Sequence, residues 1–142
     1  MKIGFKKTSV FDCNVFELSK ISNRAGNITA LNNKVDLPFD VVRVYYLYDV
    51  PSGLNRGGHA HHQLYQYLIA ASGSFDVMIN DGINKKTVTL NRPNFALLIT
   101  PGIWREIENF SSGAICLVLA SHNYNEMDYI REYNSFKIWK SV

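Results

Sequence analysis

The stretch Phe75-Asp76-Val77-Met78-Ile79-Asn80-Asp81-Gly82 decides the fold class. Phe75 to Ile79 favours extended backbone, Asn80-Asp81-Gly82 carries the residues of a tight turn, and Lys86 to Leu90 offers a returning strand, so the segment predicts a β-hairpin. The same pattern recurs on both sides of it. Val41 to Tyr48 is dense in β-branched and aromatic residues and closes on Asp49-Val50-Pro51-Ser52-Gly53, Leu64 to Ala71 ends at Ser72-Gly73, and Phe95 to Thr100 and Ala114 to Ser121 add two further strands. Short strands divided by turns, with no helical period before the C-terminus, predict an all-β sandwich or barrel of jelly-roll type and argue against an α/β sheet. Only the last stretch changes period. Tyr129, Tyr133 and Phe136 recur at helical spacing and predict a short amphipathic helix within Glu126 to Phe136, packed on the barrel in a structural role.

The composition fits one globular unit over residues 1–142, with 46% hydrophobic and 19% charged residues and neither repeat nor low-complexity tract. The longest apolar run, Ala114 to Ala120, is far shorter than the roughly 20 residues a membrane helix needs. The basic start Met1-Lys2-Ile3-Gly4-Phe5-Lys6-Lys7 lacks the apolar stretch of a secretory signal, so a cytoplasmic protein is expected. Cys13 and Cys116 are far apart in sequence, and no disulfide is expected. A net charge of +3, with the arginines scattered, excludes a nucleic-acid footprint and suits a small phosphorylated ligand better.

The chemistry is concentrated in Arg56-Gly57-Gly58-His59-Ala60-His61-His62. In an extended strand His59 and His61 project to one face, about 6.5 to 7 Å apart, while His62 points away. Two imidazoles on the inner face of a small barrel need a ligand, a metal or a polar cavity to satisfy them. His62 and His122 read as structural. The His-x-His spacing resembles the first motif of the cupin superfamily, but Gln66 stands where the superfamily places a metal-binding glutamate, and Arg105 where it places a third histidine. A guanidinium repels a divalent cation, so neither a metal nor another cofactor is expected, and the site should favour an anionic or electron-rich ligand.

A closer resemblance extends from about Pro38 to Phe136. It is carried by Pro38-Phe39, Arg43-Val44-Tyr45-Tyr46, Arg56-Gly57 with His59-Ala60-His61, Ser72-Gly73-Ser74, Asp81-Gly82, Val118-Leu119-Ala120-Ser121, and Asp128-Tyr129-Ile130-Arg131 with Tyr133 and Phe136. Together these residues resemble the cupin-type dTDP-4-keto-6-deoxyglucose 3,4-ketoisomerases, the sugar 3,4-ketoisomerase family with a WxcM-like C-terminal domain. The resemblance implies a single cupin jelly roll, a homodimer, and a dTDP-linked 4-keto-6-deoxy sugar as substrate. It also implies a role in making 3-amino-3,6-dideoxy sugars of the kind used in lipopolysaccharide O-antigens. By the same resemblance His59 takes the proton from carbon 3, with His61 as its partner or as donor in the second step.

Other residues are assigned on the strand faces. Tyr45 shares a face with Arg43 and is the candidate to donate to, or relay protons at, a developing oxyanion. Arg56 is placed to pair with the diphosphate, with Arg43 a second candidate, Gln66 and Arg105 as further substrate contacts, and Trp104 as a stacking surface for thymine. The chain departs from the resembled pattern at Arg105, where a histidine is typical, and at Gly58, where a bulkier residue is. Three other readings stay open: a 3,5-epimerase, which characteristically uses a carboxylate-supported histidine and for which His59 has no obvious partner; a non-catalytic sugar-nucleotide-binding cupin; and a metal-dependent oxygenase.

Overall fold

The computed structural model describes residues 3–142. The predicted hairpin forms as β7 (Phe75–Asn80) and β8 (Lys85–Leu90), in register from Phe75 opposite Leu90 to Asn80 opposite Lys85. The turn residues act as their chemistry dictates: Asn80 Oδ1 accepts from the Gly82 amide, and Asp81 Oδ1 accepts from the Ile83 and Asn84 amides. Around this hairpin the sheet runs β12 (Tyr129–Ile130), β5 (Arg56–His61), β10 (Trp104–Glu108), β7, β8. The opposing sheet runs β1 (Val15–Glu17), β9 (Phe95–Ile99), β6 (Gln66–Ser72), β11 (Ile115–Ala120), β4 (Arg43–Leu47). Every pairing is antiparallel, and the two sheets form the expected cupin jelly roll. A separate hairpin joins β2 (Ile21–Asn23) to β3 (Gly26–Ile28).

The inward residues of both sheets, among them Leu68, Val77, Ile79, Leu97, Ile107 and Val118, pack into one apolar cluster. Full burial of each such side chain contributes about 1.5–3 kcal/mol, which holds the sheets face to face. The outer face of β6 and β11 is also covered: Tyr67, Ile69 and Leu119 pack under Leu31, Leu37, Phe39 and Val41. Cys13 and Cys116 are buried free thiols. On β4 the alternation is plain. Arg43, Tyr45 and Leu47 turn inward, while Val44, Tyr46 and the flanking Val42 and Tyr48 are exposed on the other side.

The C-terminal helix departs from the sequence expectation. Glu126–Asp128 forms a 3-10 turn capped by Asn125, Tyr129 and Ile130 pair with His61 and Ala60 of β5, and helix α1 begins only at Tyr133, running Tyr133–Ser141. A strand residue followed four positions later by a helical one mimics the i, i+4 stripe of a continuous helix, so periodicity alone merged the two. The helix buries Phe136 against Trp104 and is tied down by Lys140, whose Nζ donates to the Phe5 and Thr8 carbonyls and to Thr8 Oγ1.

The pairing of β5 with β10 is irregular where it matters. Arg105 stands opposite His59 and Ile107 opposite Arg56, so Gly57 and Gly58 together face the single residue Glu106. This is a β-bulge, with Gly57 at φ +80°, a left-handed conformation that glycine adopts without steric cost. Through it Arg56 and His59, three residues apart, meet successive inward residues of β10; strict alternation would put them on opposite faces.

Candidate active site

Downstream of the bulge β5 is regular, and His59 and His61 point into the barrel together, their ring centroids 4.8 Å apart and perpendicular. The ring of Tyr129, brought opposite His61 by the β5–β12 register, lies 4.4 Å from His61 and 4.9 Å from His59. His62 turns outward and packs edge-on against Trp139, in keeping with its structural reading, whereas His122 is exposed, bonded to Ser121 Oγ, and lines a cavity beside His61.

Each imidazole is held by a different group. Arg105 donates from Nε and Nη2 to His59 Nε2 at 3.3 and 3.1 Å. A guanidinium has no acceptor, so His59 Nε2 must be the acceptor, and the proton of the neutral ring sits on Nδ1. On His61 the arrangement is reversed: Nδ1–H donates to Asp128 Oδ2 at 3.0 Å, and Nε2 is buried with no hydrogen-bond partner. Both rings therefore carry their proton on Nδ1, each fixed by its partner, but the engaged nitrogen differs: Nε2 on His59 and Nδ1 on His61.

Burial and charge keep both rings neutral. Burial first, then the Arg105 guanidinium, hold His59 far below its ordinary value. Burial also pulls His61 down, to about 4, against the opposing pull of the Asp128 hydrogen bond. Burial alone would raise the Asp128 carboxyl, but the hydrogen bonds from His61 and the Gln63 amide leave it below the usual carboxylate range.

Tyr45 reaches the group from the opposite sheet. Its hydroxyl accepts from Arg105 Nη2 at 3.2 Å and from Gln66 Nε2 at 3.0 Å. With both acceptor positions filled by donors, its own proton is free to donate elsewhere. Arg105 is only 2% exposed and has no carboxylate partner, and its Nη1 is unpaired. A buried guanidinium held by neutral groups makes the interior electropositive, which suits a developing oxyanion. Arg43 Nε and Gln66 Oε1 are likewise buried without partners.

Two cavities open beside the histidines. One, of about 290 Å³, is lined by Tyr45, Arg56, His59, Arg105 and Arg131; the other, of about 430 Å³, by His61, His122, Tyr124 and Asp128. Arg43 and Tyr129 line both and stand between them. Among the described residues no group of three His, Cys, Asp or Glu side chains is placed to hold a metal ion.

Two expected substrate contacts are placed otherwise. Trp104 is 5% exposed, wedged against Tyr133 and Phe136 with Nε1 donating to Glu106, so its ring is shut off from any base that enters these cavities. On β10 it alternates with the inward Arg105 and therefore faces the helix. Gln66 lines neither cavity and stands behind Tyr45. The sequence reading also missed Asp128, Tyr129 and Arg131 as site residues, because the helix assigned to that stretch gave them a structural face. The signal available was Asp128-Tyr129-Ile130, where a carboxylate precedes two residues of high β propensity.

Comparison with known proteins adds three findings. Residues 11–141 match the model of the family described as FdtA: WxcM-like, C-terminal. A TDP-4-oxo-6-deoxy-alpha-D-glucose-3,4-oxoisomerase from Aneurinibacillus thermoaerophilus is 39% identical over 123 residues, 87% of this chain and 88% of the relative. A crystal structure of a 3,4-ketoisomerase from Helicobacter canadensis superposes with a TM-score of 0.90 at 43% identity, covering 92% of this chain and 98% of that one. The 3,4-ketoisomerase QdtA from Thermoanaerobacterium thermosaccharolyticum, solved as a histidine-to-asparagine variant with TDP-4-keto-6-deoxyglucose, superposes at 0.91 with 34% identity, covering 94% and 96%.

Proposed function

The chain belongs to the FdtA, WxcM-like C-terminal family, and from that premise we propose the following account of its chemistry. It is a sugar-nucleotide 3,4-ketoisomerase that converts a TDP-linked 4-keto-6-deoxyhexose to the 3-keto isomer. The observation that carries the mechanism is the neutral His59–His61 pair set beside the Tyr45 hydroxyl and the Arg105 guanidinium.

The ketone at carbon 4 acidifies the hydrogen on carbon 3, and a neutral imidazole removes it. By resemblance His59 takes this proton, its Nε2 parting from Arg105 to do so, with His61, held by Asp128, as its partner or as donor in the second step. The C–H electron pair becomes the carbon 3 to carbon 4 double bond, and the carbonyl pair moves onto the carbon 4 oxygen. The Tyr45 hydroxyl is a donor for that oxygen, and Arg105 supplies the surrounding positive field. The proton is returned to carbon 4, the carbon 3 hydroxyl gives up its proton to the neighbouring oxygen by way of the Tyr45 hydroxyl, and a ketone is left at carbon 3. Arg43, Arg56 and Arg131 at the cavity walls suit the diphosphate.

We extend the reading to a homodimer with residues 1–142 acting as one cupin unit, working in the cytoplasm on deoxyamino sugars for O-antigen. The exposed apolar face of the edge strand β4, with Val44 and Tyr46 more than half exposed, supports self-association there.

Proton NMR of TDP-4-keto-6-deoxyglucose with the protein in deuterium oxide tests the reaction. Deuterium at carbon 4 of a 3-keto sugar, absent with His59→Ala, is the expected result. Exchange at carbon 5 instead indicates an epimerase. Binding without exchange at any carbon indicates a non-catalytic cupin.

A further inference from the structure

We propose that Gln66 is a positioning residue for the reaction: by donating to the Tyr45 hydroxyl it turns the phenolic proton toward the cavity, where that proton meets an oxygen of the reacting sugar. For the reaction, this inference rests on the ketoisomerase reading; for the direction of the proton, it rests on geometry alone.

Gln66 opens β6 and stands opposite Ala120 of β11, which in turn stands opposite Arg43 of β4. Residues paired directly across antiparallel strands share a face, so all three turn inward. Ala120 projects only a methyl group, and over it the Gln66 side chain crosses the width of β11 to Tyr45, with Nε2 donating to the hydroxyl oxygen at 3.0 Å. Arg105 Nη2 donates to the same oxygen at 3.2 Å. A phenolic oxygen has two acceptor positions and one proton. With both positions filled by donors, the proton leaves along the remaining direction, and Tyr45 lines the cavity of about 290 Å³ together with His59 and Arg105. A glutamate in place of Gln66 would be an acceptor only and would draw the phenolic proton to itself.

Stability does not account for this residue. Gln66 is 1% exposed, its Oε1 is buried with no partner, and its cross-strand partners Ile99 and Ala120 carry no polar side chain. An orphaned buried carbonyl destabilises a fold by at least as much as one neutral hydrogen bond returns, so an apolar side chain of the same length would hold this position as well or better. Gln66 lines neither cavity beside the histidines, which separates it from the groups that touch the sugar. The hydrogen bond to Tyr45 is what remains for it to do, and its effect on the chemistry passes through that hydroxyl.

The test joins a measurement on the wild-type chain to one substitution. Neutron diffraction from crystals in deuterium oxide locates the deuterons: one on the Gln66 amide is expected to point at the Tyr45 oxygen, and the Tyr45 deuteron to lie on the cavity side. A Tyr45 deuteron directed at Gln66 Oε1 overturns the proposal without recourse to any variant. Gln66→Met keeps the length of the side chain and removes both polar atoms. It is expected to leave Tm unchanged or raised while kcat on TDP-4-keto-6-deoxyglucose falls about 3- to 10-fold, the range of one neutral hydrogen bond, with KM within about twofold. In the Tyr45→Phe background the same substitution should leave kcat within about twofold, because the group that Gln66 positions is gone. A Gln66→Met variant with wild-type kcat overturns the proposal, and so does an equal loss of kcat with and without the Tyr45 hydroxyl, which assigns Gln66 to packing. A wild-type protein that binds this nucleotide sugar without turning it over refutes the ketoisomerase reading instead, and the neutron map still decides which way the Tyr45 proton points.

Discussion

Tyr45→Phe removes one oxygen and leaves the ring. In the folded protein that oxygen is the acceptor for Gln66 Nε2 at 3.0 Å and Arg105 Nη2 at 3.2 Å. A neutral hydrogen bond contributes about 0.5–1.5 kcal/mol net and one to a charged group about 1.5–3, so the two together set a loss of roughly 2–4 kcal/mol. A water entering from the adjoining cavity recovers part of this, so about 2 kcal/mol is expected, or a Tm lower by roughly 5–10 °C. Catalysis should suffer more. Loss of a donor to a developing oxyanion lowers kcat by about 10²–10³, and because that charge is absent in the ground state, KM should hardly move. Calorimetry and initial-rate kinetics on the same preparation separate the two effects. A variant with the lowered Tm but kcat within threefold of wild type would show that the hydroxyl only braces Arg105 and Gln66 and donates nothing to the sugar.

Four further outcomes are expected. With His59 held far below its ordinary value by burial and Arg105, and His61 depressed to about 4, both imidazoles are already neutral throughout the mildly acidic range, so kcat/KM should show no limb near 6.5; one there contradicts the burial argument. Both histidines titrate lower in the folded than in the unfolded chain, so the unfolded state binds more protons between about 6.5 and 4 and stability should decline across that window as pH falls, which denaturant titrations at several pH values will register. Trp104→Phe should lower Tm through loss of packing and of the Glu106 bond yet leave TDP affinity unchanged by calorimetric titration; a tenfold weaker Kd would restore the stacking role. Gly57→Ala should cost about 1–2 kcal/mol for its left-handed backbone, and Gly57→Asn less, when Tm values are compared.

The strands that alternate cleanly, such as Arg43 to Leu47 and the hairpin built on Phe75 to Leu90, were legible in the sequence because side-chain period and turn chemistry agree there. The imidazole pair was legible for the same reason, since residues two apart share a face. What was hidden depends on partners distant in sequence. Tyr129 was read as helical because its spacing to Tyr133 and Phe136 satisfies a helix, and only pairing with His61 makes it a strand residue. Asp128 was invisible as the partner of His61 because 67 residues separate them. Trp104 was read as a stacking candidate with no face assigned, because strand β10 was not read as a strand and the orientation relative to Arg105 had no reference.

The glycine pair in β5 acts as a change of phase between two stretches of one strand. Upstream of it, Arg56 answers to the turn that precedes it; downstream, His59 and His61 answer to Arg105 and Tyr129 across the ladders. Loss of one glycine is therefore expected to close the bulge and leave Arg56 two residues from His59, still opposite Ile107 on the inward face, while the imidazoles stay anchored. A deletion at Ala60 has no such refuge, because it throws one imidazole out of the barrel. A change of length is thus absorbed at Gly57-Gly58, where the ladder already carries one residue in excess, and nowhere between His59 and His61.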